Sequence, residues 1–353
     1  MKPSWHAGIK NPPKPPFERV LASNKTTKPA AILPRGAVGC YPQGKHFVNT
    51  YQIIDAFKAS MREADIEPPD KILADGVLHR FHIVGQKQGS LNGAYKLHLD
   101  GAKPAGYFED FKTGIKANWK ADSPAKHFTP AERQQHEVAK KTRDQQQAQR
   151  YEQTANLAQR ILDAAKPLTG NDHPYLLKKR IDSHGLYRLK VWTKRHKNDA
   201  EQWVNLNIQN VLLVPLIDIN GKLWNLQAIF SETDPTLGRD KDFLSGGRLG
   251  GLFHVIGQPT DEVIICEGYA TGASLHTATG SQVLCALSAG NLFNVAKAVR
   301  AADSRKKIIL AADNDLKTPG NPGVTAAKKA ALAVGGFLAV PPVAGDFNDM
   351  ECV

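Results

Sequence analysis

Short apolar runs, separated by longer mixed segments, dominate the last hundred residues of the chain. The runs lie near 263–266, 282–286, 307–312 and 336–340. The segments between them, near 270–279, 291–302 and 322–334, are predicted as helices. Short continuous apolar runs are typical of parallel strands that are buried on both faces of a sheet. The alternation therefore predicts a compact parallel α/β domain over residues 257–353.

Upstream of that domain the pattern changes three times. Residues 1–70 are predicted as a Pro- and Lys-rich extension, extended over its first part, with one short helix near 50–66. Residues 71–127 contain alternating apolar and polar positions separated by turn residues, which predicts a small β-rich domain. Residues 128–167 are rich in charged and amide side chains, and they predict a charged helical spacer between Pro130 and Pro167.

Residues 168–256 are predicted to form a basic subdomain of mixed α+β structure. A short helix is expected to open at His173 and to end near Gly185. The apolar run 211–217, a turn, and a returning strand over 223–230 predict a hairpin. A basic, Gly-rich stretch follows at 238–248. The predicted fold class is thus α/β, with α+β character in the regions upstream of the last domain.

Positive charge is concentrated upstream of the last domain. The 353-residue chain has a formal net charge of +12, from 46 Lys and Arg residues against 34 Asp and Glu. From Asp261 to the end there are eight basic residues against nine acidic ones, which leaves 38 against 25 upstream. A basic body attracts a polyanion by releasing its counterions, although moderate positive charge also serves solubility. The asymmetry favours a nucleic acid as the partner.

Composition argues against several classes of protein. Hydrophobic residues make up 41% of the chain and charged residues 23%, which is typical of a globular domain in water. No run approaches the roughly 18 apolar residues that cross a bilayer, and no signal peptide is recognisable at the start. We therefore expect a cytoplasmic protein without a membrane partner. The four cysteines form no CxxC or CxxH pair, so no zinc is expected, and Cys266 and Cys285 are predicted as core residues.

Acidic residues directly follow two of the predicted parallel strands. Glu267 follows the run 263–266, and Asp313 and Asp315 follow the run 307–312. Because open α/β sheets build their sites at the carboxyl ends of the strands, we expect these three carboxylates to meet at one edge. Mg²⁺ prefers oxygen ligands and bridges to phosphates, so the sequence predicts metal-dependent phosphoryl chemistry.

Two further carboxylates, Asp346 and Asp349, follow the fourth predicted strand. Each of them alone could be a turn residue, and an Asp-x-Asp sequence alone could belong to a simple loop, because Asp also caps helices and builds turns. Glu-Gly after one strand together with Asp-x-Asp after a later strand is more specific and favours a metal site. The predicted metal-binding residues are Glu267, Asp313, Asp315, Asp346 and Asp349.

The acidic motifs resemble those of the Toprim domain, which primases, topoisomerases, some nucleases and recombination proteins share. The matching segments are Glu267-Gly268-Tyr269, Asp313-Asn314-Asp315 and Gly345-Asp346-Phe347-Asn348-Asp349. Upstream, residues 214–223 resemble a hairpin of the primase catalytic core, and Lys241-Asp242-Phe243-Leu244-Ser245 resembles its Lys-Tyr-Leu-Asn/Ser segment. The resemblance covers about residues 75–353. It is strongest to bacterial DnaG-type primases of phages, plasmids and conjugative elements.

This resemblance implies a DNA primase, which is a DNA-directed RNA polymerase that makes short RNA primers during replication of a mobile element. It implies Glu267, Asp313 and Asp315 as catalytic residues that hold Mg²⁺ or Mn²⁺. The implied partners are a single-stranded DNA template and ribonucleoside triphosphates, with a replicative helicase or a single-strand-binding protein as further candidates. Because the reacting phosphates need cations, the predicted nucleotide- and template-binding residues are Lys222, Arg239, Lys241 and Arg248.

The sequence departs from the replicative primases in three respects. Thr271 occupies a position, four residues after Glu267, where those primases have an acidic residue. No N-terminal zinc ribbon is visible, and no GxxxxGK[ST] phosphate loop indicates a fused ATPase.

Two other functions remain open at this point. The chain could be a Toprim nuclease, in which a metal-bound water attacks DNA, or a noncatalytic DNA-binding or loader protein. The primase-like unit over 210–250 argues against the nuclease, and the complete acidic set argues against the loader.

Overall fold

The computed structural model describes residues 18–19, 50–86, 90–99, 103–113, 115–122, 129–198, 202–318 and 320–351. Most of the predicted Pro-rich extension lies outside the described residues, as do Cys40 and Cys352. The chain divides into two compact units, one of residues 23–145 and the other of residues 1–22 with 146–353.

The helices and strands follow one another in a mixed order. The helices are α1 (Thr50–Glu63), α2 (Pro130–Ala164), α3 (Pro174–Lys179), α4 (Tyr269–Thr279), α5 (Ala289–Ala302), α6 (Pro322–Val334) and α7 (Phe347–Glu351). The first ten strands are β1 (Glu18–Arg19), β2 (His79–Phe81), β3 (Gly93–His98), β4 (Ala105–Asp110), β5 (Lys116–Lys120), β6 (Lys166–Pro167), β7 (Tyr187–Lys197), β8 (Trp203–Ile217), β9 (Leu223–Asp234) and β10 (Arg239–Phe243). The remaining strands are β11 (His254–Ile256), β12 (Glu262–Cys266), β13 (Gln282–Cys285), β14 (Lys307–Ala311) and β15 (Phe337–Ala339).

The smaller unit is an antiparallel sheet of four strands, in the order β2-β3-β4-β5, against which α1 packs. The buried face of α1 consists of Ile53, Phe57 and Met61, which recur at helical spacing. The ring of Phe57 lies edge-on to that of Phe108, with centroids 5.8 Å apart. The strands expected within 71–127 and the short helix expected near 50–66 are confirmed, although α1 ends at Glu63, before the left-handed residue Asp65. The domain bounds 71–127 stay a prediction.

The middle sheet is antiparallel and has the order β10-β9-β8-β7-β6. The predicted hairpin is confirmed: the Asp218 carboxylate accepts the backbone N–H groups of Asn220 and Lys222, and this closes the turn between β8 and β9. Two features differ from the prediction. Strand β7 and the first half of β8 were missed, and α3 ends at Lys179, followed by Arg180 in a left-handed conformation, before Gly185.

The last sheet has the order β1-β15-β14-β12-β13-β11, and its four central strands are parallel. Helices α5 and α6 cover one face and α4 covers the other. The predicted parallel strands and the helices between them are confirmed to within two residues at each end. Cys266 and Cys285 are buried between α4 and the sheet, where a Cβ on Gly272 would overlap their sulfur atoms.

The middle and last sheets share one hydrophobic core, in which residues of β8 and α3 pack with residues of β12 and α4. The antiparallel edge strand β11 belongs to the last sheet although it precedes the predicted domain boundary at 256/257. The division into 168–256 and 257–353 stays a prediction, and both segments lie inside one compact unit. None of the described helices combines the length and the apolarity that crossing a membrane requires.

Candidate metal centre

Glu267 and Asp313 follow strands that are neighbours in the sheet. Strands β12 and β14 pair in parallel, with Ile265 opposite Leu310, so their carboxyl ends lie side by side. The half-buried Glu267 carboxylate accepts the N–H of Ala289, the first residue of α5. Burial raises the pKa of Glu267, and this N–H opposes the shift. The strand order therefore brings the two predicted carboxylates to one edge.

The surroundings of Asp313 disfavour the ionised form of its carboxylate. Its carboxylate oxygen Oδ1 is buried and has no hydrogen-bond partner. Burial, followed by the negative charges of Glu267, Asp346, Asp315 and Asp349, raises the pKa of Asp313 to about 7. A carboxylate in this state lacks a positive charge that would stabilise its ionised form.

An asparagine fixes the loop that contains Asp313 and Asp315. The side-chain amide of Asn314 donates to the carbonyl oxygens of Pro341 and Val343, at 3.0 and 3.1 Å. The backbones of Asn314 and Gly345 exchange hydrogen bonds in both directions. These contacts hold the loop after β14 against the loop after β15, so the exposed Asp315 and the half-buried Asp346 lie near the same edge.

Asp346 and Asp349 organise the first turn of α7. The Asp346 carboxylate accepts the backbone N–H groups of Asn348 and Asp349, and the Asp349 carboxylate accepts the N–H of Asp346. Asp349 also forms an ion pair with Lys179 across 3.5 Å. Both residues therefore have the structural role that the sequence left open for each of them, and their metal role stays a prediction.

The donor set of this edge fits a hard divalent cation. Four other carboxylates lie close enough for their charges to act on Asp313, and oxygen ligands of this kind suit Mg²⁺ or Mn²⁺. In the described part of the chain, no three His, Cys, Asp or Glu side chains are already arranged around one point. Coordination by three of them therefore requires side-chain rotation, which the exposed Asp315 allows at low cost.

Lys241 is the predicted basic residue that the structure brings to the acidic edge. Its ammonium nitrogen lies 5.8 Å from the ring centroid of Tyr175, and its charge opposes the rise that burial causes in the pKa of Glu267. The Lys241 side chain is exposed. A cation is thus available next to the predicted metal-binding carboxylates, at the position that the sequence motif predicted.

The other predicted cations lie elsewhere on the middle sheet. Lys222 and Arg248 both contact the Trp224 ring, at 4.0 and 5.1 Å from its centroid. Lys222 pairs with Glu152 at 2.7 Å, and Arg248 pairs with Asp218 at 3.8 Å. Among the contacts described for the chain, none joins these two cations to the carboxylate edge.

Arg239, the remaining predicted cation, also has a carboxylate partner. It pairs with the buried carboxylate of Asp242 at 2.7 Å. Sequence reasoning missed Asp242 and its second partner, Lys194, because 48 residues separate them in the chain. Successive side chains of a strand point to opposite faces, so an outward-facing Lys241 implies an inward-facing Asp242. This reasoning could have identified the buried carboxylate.

The family model of the Toprim domain matches residues 262–353, the segment that contains all five carboxylates. Residues 262–353 are a Toprim domain. The predicted resemblance of the C-terminal part of the chain is thereby confirmed. Thr271 of this Toprim domain occupies the position at which the replicative primases have an acidic residue. It is only 1% exposed.

Two curated relatives extend the similarity upstream of the Toprim domain. The chain is 34% identical over 282 residues to a protein named DNA primase TraC from Escherichia coli, a match that covers 76% of the chain and 24% of that protein. It is 32% identical over 303 residues to another Escherichia coli protein of the same name, with 81% of the chain and 19% of that protein covered. The predicted resemblance to DNA primases is confirmed, and the chain spans about a quarter or less of these relatives.

Solved primase structures show a weaker likeness. A DNA primase domain from Pseudomonas aeruginosa has a TM-score of 0.40 and 13% identity, over 57% of this chain and 74% of that one. A DnaG primase catalytic domain bound to single-stranded DNA has a TM-score of 0.38 and 13% identity, over 59% and 77%.

Proposed function

We propose that the chain is the catalytic core of a DNA primase, which synthesises short RNA primers on single-stranded DNA by metal-dependent nucleotidyl transfer. The observation that supports this most is the buried, unpartnered Asp313 oxygen at a Toprim edge, among four further carboxylates, of which Glu267 also experiences the charge of Lys241. The names of the two relatives and the basic body upstream agree with it. A replicative role in a mobile element is part of the proposal.

The acidic residues have a definite task in this reaction. Glu267, Asp313 and Asp315 would hold Mg²⁺ or Mn²⁺, with Asp346 and Asp349 in support. The bound ions would stabilise negative charge on the attacking and departing oxygens of the phosphoryl group. The chain contributes the rigid part of the arrangement, because Glu267 and Asp313 stand at the ends of paired strands.

The basic residues would hold the two polyanionic reactants. Lys241, whose charge acts on Glu267, would pair with triphosphate oxygens. Lys222, Arg239 and Arg248 lie farther along the middle sheet and would contact the phosphates of the template, in exchange for their present carboxylate partners. A helicase or a single-strand-binding protein would be a further partner, in the cytoplasm where replication takes place.

Primer synthesis on short single-stranded DNA templates tests this proposal. The protein is incubated with labelled ribonucleoside triphosphates and Mg²⁺ or Mn²⁺, and products are separated on a denaturing gel. The wild type should make short RNA, and Asp313→Asn should reduce the product by about a thousandfold, because one ligand charge is lost. Asp261→Asn is the matched control, since Asp261 is exposed and precedes β12 at the opposite end of the strand.

Parallel reactions with end-labelled single-stranded DNA, together with a DNA-binding titration, separate the two alternatives. DNA that is shortened without any RNA product would indicate the nuclease and contradict the primase. Tight DNA binding that is equal in the wild type and Asp313→Asn, without RNA product from either, would indicate the noncatalytic loader.

A further inference from the structure

Asp242 is a buried carboxylate in the strand that presents Lys241. Successive side chains of a strand point to opposite faces, so Asp242 faces inward where Lys241 faces outward. Asp242 is 5% exposed, whereas the Lys241 side chain is exposed. A buried charge is costly unless its oxygens are paired, and its partners therefore indicate what it holds in place.

Three side chains satisfy this carboxylate. The Lys194 ammonium nitrogen lies 2.7 Å from Asp242 Oδ2, and the Arg239 guanidinium lies 2.7 Å from Oδ1. The indole N–H of Trp192 donates to Oδ2 at 3.3 Å. The Lys194 side chain is only 18% exposed, so this ion pair is screened little by water.

Lys194 extends the network along the motif. It donates to the Ser245 hydroxyl at 3.0 Å and to the carbonyl oxygen of Phe243 at 3.4 Å. Lys194 belongs to β7, and β7 is not a neighbour of β10 in the sheet. The contacts of Lys194 therefore tie one strand to the segment 242–245 across two intervening strands.

These contacts of Lys194 lie next to an irregularity in the backbone pairing of β10. The pairing of β10 with β9 shifts register between Arg239 and Lys241. A bulge of this kind re-aims the side chains beside it and leaves the local strand less constrained by hydrogen bonds. Asp242 is the next residue, so its side-chain contacts fix the backbone at the point where the direction of Lys241 is set.

We infer that Asp242 is a positioning residue, which holds β10 through Lys194 and thereby aims Lys241 at the phosphates of a nucleoside triphosphate bound beside Glu267. The inference rests on the proposed function, because it assigns Lys241 to the nucleotide. Asp242 itself is buried on the other face of the strand and would not touch the nucleotide. Its effect would therefore pass through Lys241.

A double-mutant cycle on the full chain tests this route. Binding of ATP with Mg²⁺ is measured by titration calorimetry for the wild type, Asp242→Asn, Lys241→Ala and the double variant. Each single substitution should weaken ATP binding by about tenfold, and the double variant should be no weaker than Lys241→Ala. Asp172→Asn is the matched control: it breaks an exposed ion pair with Arg188 in the same unit and should leave ATP binding unchanged.

Losses that multiply in the double variant, or unchanged binding in Asp242→Asn, would overturn the inference. If Asp242→Asn does not fold, as thermal unfolding would show, Lys194→Gln removes the same tie from β7 and replaces it in the cycle. Primer synthesis by the wild type separates the two proposals. A wild type that binds ATP but makes no primers contradicts the proposed function, and additive losses with intact primer synthesis contradict only the role of Asp242.

Discussion

Burial and the charges of neighbouring carboxylates both act on Asp313, a predicted metal-binding residue. The sequence predicted its place, because an acidic residue directly after a buried apolar run must stand at the carboxyl end of a strand. It did not predict that Oδ1 lacks a partner, or that burial among the four other predicted carboxylates raises the pKa of Asp313. Those properties depend on the loop that Asn314 ties to Gly345, and that contact joins residues 31 positions apart.

Metal affinity should depend on pH through Asp313. Its pKa is raised to about 7, so this carboxyl is mostly protonated at pH 6 and mostly ionised at pH 8. Binding of Mn²⁺ must displace that proton, and affinity should therefore fall by about tenfold from pH 8 to pH 6. Electron paramagnetic resonance of the free Mn²⁺ measures this affinity at each pH. In Asp313→Asn this dependence should vanish along with much of the affinity, and equal affinity of the wild type at both pH values would contradict the role of Asp313.

For the basic residues, the sequence did not reveal which carboxylate each cation pairs with. The motif singled out Lys241, whose charge acts on Glu267, whereas Lys222 and Arg248 flank Trp224 and pair with carboxylates of their own. Charge and turn position alone do not reveal such pairing. The partner Glu152 lies 70 residues away from Lys222 in the chain, on α2.

Among the elements, those with continuous apolar runs were predictable. Strands β12 and β14 are buried on both faces, so few other structures fit their sequence. Strand β7 and the start of β8 were missed because their outer halves are polar and partly exposed, as in Lys194-Arg195-His196. Pairing with each other, rather than burial, stabilises those halves.

The contact between α6 and the loop after β14 gives a prediction for a single glycine. A Cβ on Gly323 would overlap the carbonyl oxygen of Asp313. Gly323→Ala should therefore destabilise the fold by about 1–3 kcal/mol and reduce Mn²⁺ affinity, because the loop must move away from α6. Chemical denaturation and Mn²⁺ titration measure the two effects.

Gly290→Ala is the control for this glycine. Gly290 lies in the first turn of α5, and the space around its Cβ position is open. Alanine there should leave stability equal or slightly higher, since alanine is the better helix former. Equal stability of the Gly323 and Gly290 variants would show that the close approach of α6 does not hold the Asp313 loop.

At the scale of the whole molecule, the sequence predicted the classes of structure better than the boundaries between them. The middle sheet and the Toprim sheet share one core, through residues such as Leu212 and Ile264. A core of this kind forms from strands that are far apart in sequence, so the composition of either segment alone does not reveal it. The charge asymmetry between the segments was visible in the sequence.

Binding of single-stranded DNA should therefore depend strongly on salt. If Lys222, Arg239 and Arg248 each contact one phosphate, affinity should fall by about 20-fold between roughly 50 and 200 mM salt. Lys222→Gln should reduce the slope of log affinity against log salt by about 0.7. Fluorescence anisotropy of a labelled oligonucleotide measures both, and a salt-independent affinity would contradict an electrostatic template site.

Diffraction from metal-soaked crystals shows whether the carboxylates at the Toprim edge gather divalent cations. Crystals of the wild type and of Asp313→Asn are soaked in Mn²⁺, and anomalous difference maps are compared. In the wild type a peak should appear within coordination distance, about 2–2.5 Å, of an Asp313 oxygen, and in the variant this peak should be lost or much weaker. No peak beside Asp313, Asp315 or Glu267 in the wild type would contradict metal binding at this edge.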